Sequence, residues 1–220
     1  MDFKGFEVID DFKSYLEYLK EMGIEALPIL PPQKSTLKEV RADLGECKRC
    51  KLHRTRRTIV FGEGNEKAAL MLVGEGPGYE EDIQGKPFVG KAGQLLTKIL
   101  QSIHLEREQV YIANIVKCRP PQNRNPEPDE ISSCRPFLLR QIQVIQPKII
   151  CALGTVAAQS LLQTREKITV IRGRCFDLTG IRVIPTYHPA FLLRNPERKK
   201  DVWEDMKRIA AWLKEFGIST

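Results

Sequence analysis

Residues 68–82 read AALMLVGEGPGYEED, and this stretch decides the fold. An apolar run of strand length passes directly into a glycine- and proline-rich turn with acidic residues behind it. Similar apolar runs recur, so the candidate strands are 68–73, 110–116, 148–153 and 182–187. Short apolar strands with helices between them are typical of a parallel sheet that is covered on both faces. The sequence therefore predicts an α/β fold.

Amphipathic patterns place helices around these strands. We expect them at 90–103, 129–145, 155–162 and 197–216, with another from Thr36 to the first cysteine pair. Residues 168–177 predict a short β excursion before the last strand. Upstream, helical spacing over 8–22 and the Pro-rich LPILPPQKST at 27–36 predict an N-terminal helical arm and an extended linker over 1–35. The α/β domain then spans 36–220.

Composition limits the class of protein. The chain has 220 residues, 42% of them hydrophobic, and a formal net charge of +7. A basic surface suits a polyanion such as nucleic acid, although an ordinary soluble surface explains the charge equally well. The first residues lack the apolar block of a secretory signal, and the apolar runs are too short to span a bilayer. We expect a cytoplasmic protein.

Unusual residues follow three of the predicted strands. GEGPGYEED follows the first strand, NIVKCRPP the second, and YHPAFLLR the last. In open α/β sheets, binding sites collect beyond the carboxyl ends of the strands. The sequence therefore predicts a functional site at this edge of the sheet.

Four of the six cysteines form two pairs: Cys47 with Cys50, and Cys118 with Cys134. In a cytosolic chain such pairs indicate metal ligands rather than disulfides. Four thiolates close around either a zinc ion or a [4Fe–4S] cluster, and the spacing does not separate the two. His53 also permits a mixed Cys/His zinc site. We expect Cys151 and Cys175 to be buried structural thiols.

Three stretches together resemble the family 4 uracil-DNA glycosylases. They are GEGPGYEEDIQGKPFVGKAGQLL at 74–96, IANIVKCRPPQNRNPEPDE at 112–130 and YHPAFLLR at 187–194. The resemblance implies a three-layer α/β/α sandwich with a central four-stranded parallel sheet. It also implies a structural [4Fe–4S] cluster held by the four paired cysteines. The implied activity is monofunctional hydrolysis of uracil from double- or single-stranded DNA, without lyase activity or a catalytic metal, which starts base-excision repair.

Two features of the chain bear on that resemblance. The family usually has Ala where this chain has Gly76, so we expect a looser backbone there. A related branch that captures uracil covalently carries a basic insertion with a histidine after its second site motif. The corresponding RPPQNRNPEP has no histidine, which favours turnover.

The resemblance gives base recognition to three residues. Asn114 is similar to the family's base reader, whose amide donates to uracil O4 and accepts from N3–H; alternatively, it is a turn residue at a strand end. Phe88 would stack on the flipped base, a contact worth about 1–3 kcal/mol, unless it is a core side chain. His188 is suited to donate to uracil O2 as the base departs, with a structural histidine as the alternative.

Four more candidates surround the first turn. Glu75 would position or deprotonate the attacking water and stabilise the cationic sugar. Gly76 and Pro77 would form a tight turn against the base. Glu81 would lie near uracil C5 and exclude the methyl group of thymine, or it simply places negative charge before a helix.

Leu192 and Arg194 are the predicted DNA contacts. Leu192 would wedge into the gap that the flipped nucleotide leaves, or be a surface leucine at a helix start. Arg194, Arg119 and Arg124 would contact phosphates. Three other functions compete: a nucleic-acid-binding module without activity, a cluster-based electron carrier, and a nucleotide-metabolising enzyme. The last should show a phosphate-binding glycine loop, which the sequence lacks.

Overall fold

The computed structural model describes residues 36–218, which lie within one compact unit. The helical arm and linker expected over 1–35 fall outside the described residues, so that division of the chain stays a prediction. No helix within the described range combines the length and the apolarity needed to cross a bilayer.

A six-stranded sheet forms the centre of the fold. Its strands are β1 Glu63–Gly64, β2 Leu70–Gly74, β3 Tyr111–Asn114, β4 Ile149–Leu153, β5 Phe176–Leu178 and β6 Ile181–Thr186, in the order β1-β3-β2-β4-β6-β5. The central four pair in parallel, whereas β1 and β5 add antiparallel edges. The α/β class is confirmed. The purely parallel four-stranded sheet is corrected to a mixed one, because edge strands of two and three residues are too short to show a period.

Eight α-helices are present in the described part of the chain. They are α1 Leu37–Leu44, α2 Tyr79–Gln84, α3 Lys91–Gln101, α4 Pro128–Ile145, α5 Thr155–Leu162, α6 Ile168–Ile171, α7 Pro189–Arg194 and α8 Lys199–Glu215. The β excursion predicted over 168–177 is wrong in its first half, which is α6, and only its end enters β5. The short helices α2 and α7 are absent from the predicted elements because six residues complete fewer than two turns.

Alternating side chains of the buried strands supply two cores. Met71 and Val73 of β2 join one cluster, which contains apolar residues of α1, α4 and α5. Leu70 and Leu72 join the other, with residues of α3, α7 and α8. This alternation with a period of two residues places the helices in a layer on each face of the sheet. The rigid, doubly covered sheet leaves its strand ends free to carry a site.

Candidate active site at the carboxyl ends of the parallel strands

The predicted site residues converge where β2, β3 and β6 end. Gly74, the last residue of β2, is the register partner of Asn114, the last residue of β3. Beyond them, Ile115 N–H donates to Gly74 O at 2.9 Å and Val116 N–H donates to Glu75 O at 3.1 Å. The two loops therefore leave the sheet side by side, and their backbones hold each other in place.

Asn114 is a buried amide with an unused acceptor. Its side chain is 1% exposed, and Oδ1 has no hydrogen-bond partner among the described residues. Its main-chain carbonyl is held separately, since Lys117 Nζ donates to it at 2.9 Å. A buried unsatisfied acceptor costs about 1–3 kcal/mol. A donor supplied by a ligand would remove that cost.

Phe88 lies against the same amide. A Cβ added to Gly74 would come within 2.5 Å of Asn114 Oδ1 and 2.6 Å of Phe88 Cζ, so both side chains occupy the space that this glycine leaves. The ring of His188 packs nearby, with its centroid 5.5 Å from that of Phe88 at an interplanar angle of 34°. The structure therefore brings the three predicted base contacts together.

His188 is held in one tautomer. It caps the N-terminus of α7, where its Nδ1 accepts the Ala190 N–H at 3.1 Å. Burial lowers the pKa of His188 to about 4, so the imidazole is neutral near pH 7. Because Nδ1 is the acceptor, the single ring proton resides on Nε2. The side chain thus offers one N–H donor to whatever enters the site.

Glu75 is a half-buried carboxyl, and burial raises its pKa. A higher pKa makes the carboxylate a stronger base near neutral pH. Next to it, a methyl group on Gly76 would come within 2.7 Å of Val116 Cγ2. Val116 therefore fills the space that an alanine would need. Pro77 is buried within the same turn.

Glu81 connects the turn to the Phe88 segment. Its carboxylate accepts the N–H groups of Gly78, Val89 and Gly90 at 3.1, 2.8 and 2.9 Å. Both oxygens are thus engaged with the main chain, and the residue lies in the first turn of α2. Its suggested contact with uracil C5 stays a prediction. The bonds themselves indicate that Glu81 holds two loops together.

Leu192 is buried, whereas a side chain that wedges into DNA has to be exposed. Its side chain is fully buried between α7 and its neighbours in the core, so it cannot enter DNA without unpacking α7. Leu193 is instead 46% exposed on the outer side of the same helix. The leucine that α7 presents to solvent is therefore Leu193, which the sequence did not indicate because α7 was not among the predicted helices. Arg194, the last residue of α7, is exposed.

The other two predicted phosphate contacts differ in availability. Arg119 lies over the ring of Tyr79, 5.0 Å from its centroid, and Tyr79 is 48% exposed. Arg124 makes a bidentate ion pair with Glu130, at 2.8 and 2.6 Å. Because Glu130 is fully buried, Arg124 is needed to neutralise it. Arg119 Nε donates to Asn123 Oδ1 at 2.7 Å, but its guanidinium makes no ion pair among the described residues, so it is the better placed of the two for DNA.

The four paired cysteines pack on one side of the sheet. Cys118 and Cys134 belong to the core cluster there, and Cys47 and Cys50 pack against it. Three of the sulfurs accept hydrogen bonds: Arg56 donates to Cys118 Sγ at 3.3 Å, Lys117 N–H to Cys134 Sγ at 3.2 Å, and Arg49 to Cys47 Sγ at 3.8 Å. Burial raises the pKa of Cys118 to about 11. Within residues 36–218, no three His, Cys, Asp or Glu side chains already converge as ligands of a single ion.

The other two cysteines lie apart from the two cysteine pairs, and the candidate histidine ligand bonds the main chain. His53 Nδ1 lies 2.7 Å from Cys50 O, so that ring nitrogen is engaged with the main chain. Cys151 is buried in β4, as predicted, whereas Cys175 is exposed. The prediction for Cys175 is wrong because the residue precedes the short edge strand β5 and lies outside the core.

Comparisons with known proteins agree with this arrangement. Residues 61–207 match the model of the Uracil DNA glycosylase superfamily. The chain is 47% identical over 176 residues to a Type-4 uracil-DNA glycosylase of Thermotoga maritima, an alignment covering 78% of this chain and 92% of that protein. It is 46% identical to the Type-4 uracil-DNA glycosylase of Sulfurisphaera tokodaii (79% and 83% covered) and 41% identical to that of Archaeoglobus fulgidus (79% and 92%).

Proposed function

The chain belongs to the uracil DNA glycosylase superfamily, and we propose that it binds an extruded uracil at the carboxyl ends of β2, β3 and β6. It is a uracil-DNA glycosylase of DNA repair, and its substrate is uracil-containing DNA. The observation that carries the proposed location is the buried, unpaired Oδ1 of Asn114 beside the rings of Phe88 and His188.

Recognition in this proposal depends on one amide and one ring. Asn114 Oδ1 accepts from uracil N3–H, while the amide nitrogen donates to O4 and Phe88 stacks on the base. Cytosine has an acceptor at N3 and a donor at position 4, so it would leave the same amide mismatched at both positions. Mismatched buried polar groups give strong discrimination.

Two side chains share the catalytic roles in hydrolysis. The Nε2–H of His188 donates to uracil O2 as negative charge develops on the departing base, and a fixed neutral donor needs no reorganisation. Glu75, in its ionised form, orients the water and stabilises positive charge on the sugar. Both groups project from strand ends rather than from mobile loops, which suits a preorganised site.

We propose that the enzyme is monofunctional. A lyase step needs a free amine that forms a Schiff base with the sugar. Lys117, three residues after Asn114, is fully buried, and its Nζ donates to Asn114 O and Gln141 Oε1 at 2.9 and 2.6 Å. Because these two hydrogen bonds hold the Lys117 amine at the main-chain carbonyl of Asn114, it does not reach the sugar.

We propose that Cys47, Cys50, Cys118 and Cys134 hold a structural [4Fe–4S] cluster. Support comes from their shared packing and from the N–H donors on Cys118 and Cys134, the kind of contact that stabilises cluster sulfurs. When bound, the cluster supplies a cross-link between chain segments. The chemistry assigned above uses only Glu75, Asn114 and His188.

An excision assay with purified protein tests this proposal. Uracil would be placed in single strands and opposite G or A in duplexes, with cytosine and thymine strands as controls. We expect uracil-specific release that leaves intact abasic strands, cleaved only after alkali treatment. Strand nicking without alkali would contradict the monofunctional step. Iron analysis should give about four irons per chain, whereas stoichiometric zinc without iron would contradict the cluster.

A further inference from the structure

Phe88 has a backbone conformation that its own chemistry disfavours. Its φ is +53°, in the left-handed region, although it is a bulky residue rather than a glycine. Such residues persist only where their surroundings hold them. On one side, a cleft of about 460 Å³ adjoins Phe88, lined among others by Lys86, Gln94 and Arg107. The ring itself is buried, with 6% exposure, so the cleft borders the segment on one side only, and polar contacts to the main chain add to the packing that holds it.

Arg107 holds the carbonyl groups of this segment. It opens the 3₁₀ turn Arg107–Gln109 just before β3. Its Nη2 donates to Pro87 O at 2.9 Å and its Nη1 to Phe88 O at 3.0 Å, with a longer bond to Thr97 Oγ1 at 3.4 Å. The rigid guanidinium fork matches two successive carbonyls, which a single ammonium group does not.

The opposite side of the segment is held by negative charge. Glu81 Oε1 accepts the N–H groups of Val89 and Gly90, immediately after Phe88. Below it, α3 approaches so closely that a Cβ on Gly93 would lie 1.9 Å from Phe88 O. A cation on the carbonyls and an anion on the amides thus fix the peptide units on both sides of the ring.

We propose that Arg107 is a positioning residue for uracil recognition, which acts on the base only through Phe88. It holds the left-handed backbone that places the ring beside Asn114 and His188. The inference rests on the proposed function, because the ring matters only if uracil stacks on it. Arg107 itself contacts neither the base nor the reacting atoms, and its partners are all on the segment behind the ring and on α3.

A double-mutant cycle with Phe88→Ala and Arg107→Ala tests this role by single-turnover excision of uracil. We expect Arg107→Ala alone to slow excision about 10-fold or more. The double variant should be no more than about twofold slower than Phe88→Ala, because the ring that Arg107 positions is already gone. Arg107→Lys should recover part of the rate. Arg182→Ala, which removes an ion pair with Glu215 and the guanidinium that lies over Trp212 and Phe216, is the matched control.

The outcomes separate the two proposals. Fully multiplicative losses, or a wild-type rate in Arg107→Ala, would overturn the positioning role. A wild-type protein that releases no uracil would overturn the proposed function instead. Thermal unfolding of each variant accompanies the kinetics, and Arg107→Gln replaces Arg107→Ala in the cycle if the alanine variant does not fold. The same pattern of rates is then required of it.

Discussion

Replacing Asn114 by Asp changes one atom of the candidate reader and reverses its chemistry. The position is 1% exposed, and Oδ1 has no partner among the described residues. An ionised carboxylate here would be desolvated, offset only in part by the buried Lys117 ammonium that donates to the main-chain carbonyl of the same residue. Because full burial can move the pKa of a carboxyl from about 3.9 to roughly 7–9, the aspartate would change its protonation state within the range of ordinary assays.

The two forms of the variant should behave differently. Below the raised pKa, the neutral carboxyl still donates its O–H to uracil O4. Above it, two acceptors face each other, and the lost hydrogen bond to a buried group costs about 1–3 kcal/mol, or roughly 10- to 100-fold in rate. We expect uracil excision by Asn114→Asp to fall by that factor between about pH 6 and 9. Cytosine excision should rise relative to uracil excision, because N4–H₂ gains an acceptor.

Stability must be followed beside the rates. A carboxyl whose pKa is higher in the folded than in the unfolded protein destabilises the fold as the pH rises between those two pKa values. Each step of one pH unit across that interval lowers the free energy of unfolding by about 1.4 kcal/mol. Thermal unfolding of the variant therefore sets the usable pH range.

Single-turnover rates on uracil and cytosine strands, measured across that range, test the reasoning. Asn65→Asp is the control, since Asn65 is exposed and its Oδ1 accepts the Lys67 N–H at 2.8 Å. Wild-type uracil rates with full rejection of cytosine at every pH would show that Asn114 does not read the base.

Two further predictions concern catalysis and DNA insertion. Because burial raises the pKa of Glu75 and the proposed mechanism uses its ionised form, the single-turnover rate should fall as pH drops through that raised pKa. Glu75→Gln should abolish this fall of the rate at low pH and slow excision by about 10²-fold. Because the pKa of His188 is about 4, its titration should not change the rate between about pH 5 and 8. Leu193→Ala should slow excision from duplexes more than from single strands and leave the melting temperature unchanged. Leu192→Ala should lower stability by about 2–5 kcal/mol, and the opposite pattern for the two leucines would refute their assignment.

The sequence was sufficient for the buried centre of this fold. The four parallel strands were predicted within a few residues, because strands buried on both faces are continuous apolar runs such as Leu70–Val73. The strand ends carried Asn114 and His188 to one edge, as the topology of a parallel sheet requires. The predictions that failed concern short local elements. The helix α7 is six residues long, and without it nothing distinguished the buried Leu192 from the exposed Leu193.

The hydrogen bonds that hold the site residues in place could not be predicted from the sequence, for a different reason. Glu81 and Arg107 act on main-chain groups of residues 87–90, 8 to 20 positions away, and hydrogen bonds to the main chain leave no pattern in the side chains. The left-handed φ of Phe88 is likewise invisible in the sequence, because phenylalanine, unlike glycine, does not indicate that conformation.

These unfavourable features are concentrated around one small volume. A left-handed phenylalanine, an amide oxygen without a partner among the described residues and a half-buried histidine in its neutral form lie together, and each of the first two costs the folded chain about 1–3 kcal/mol. Such costs are tolerated only where the surrounding structure is stable enough to impose them. In the proposed binding mode, uracil would offer N3–H to the amide, a face to the ring and O2 to the imidazole. In the proposed function, the groups whose placement costs the folded chain stability are therefore the ones that would bind the base.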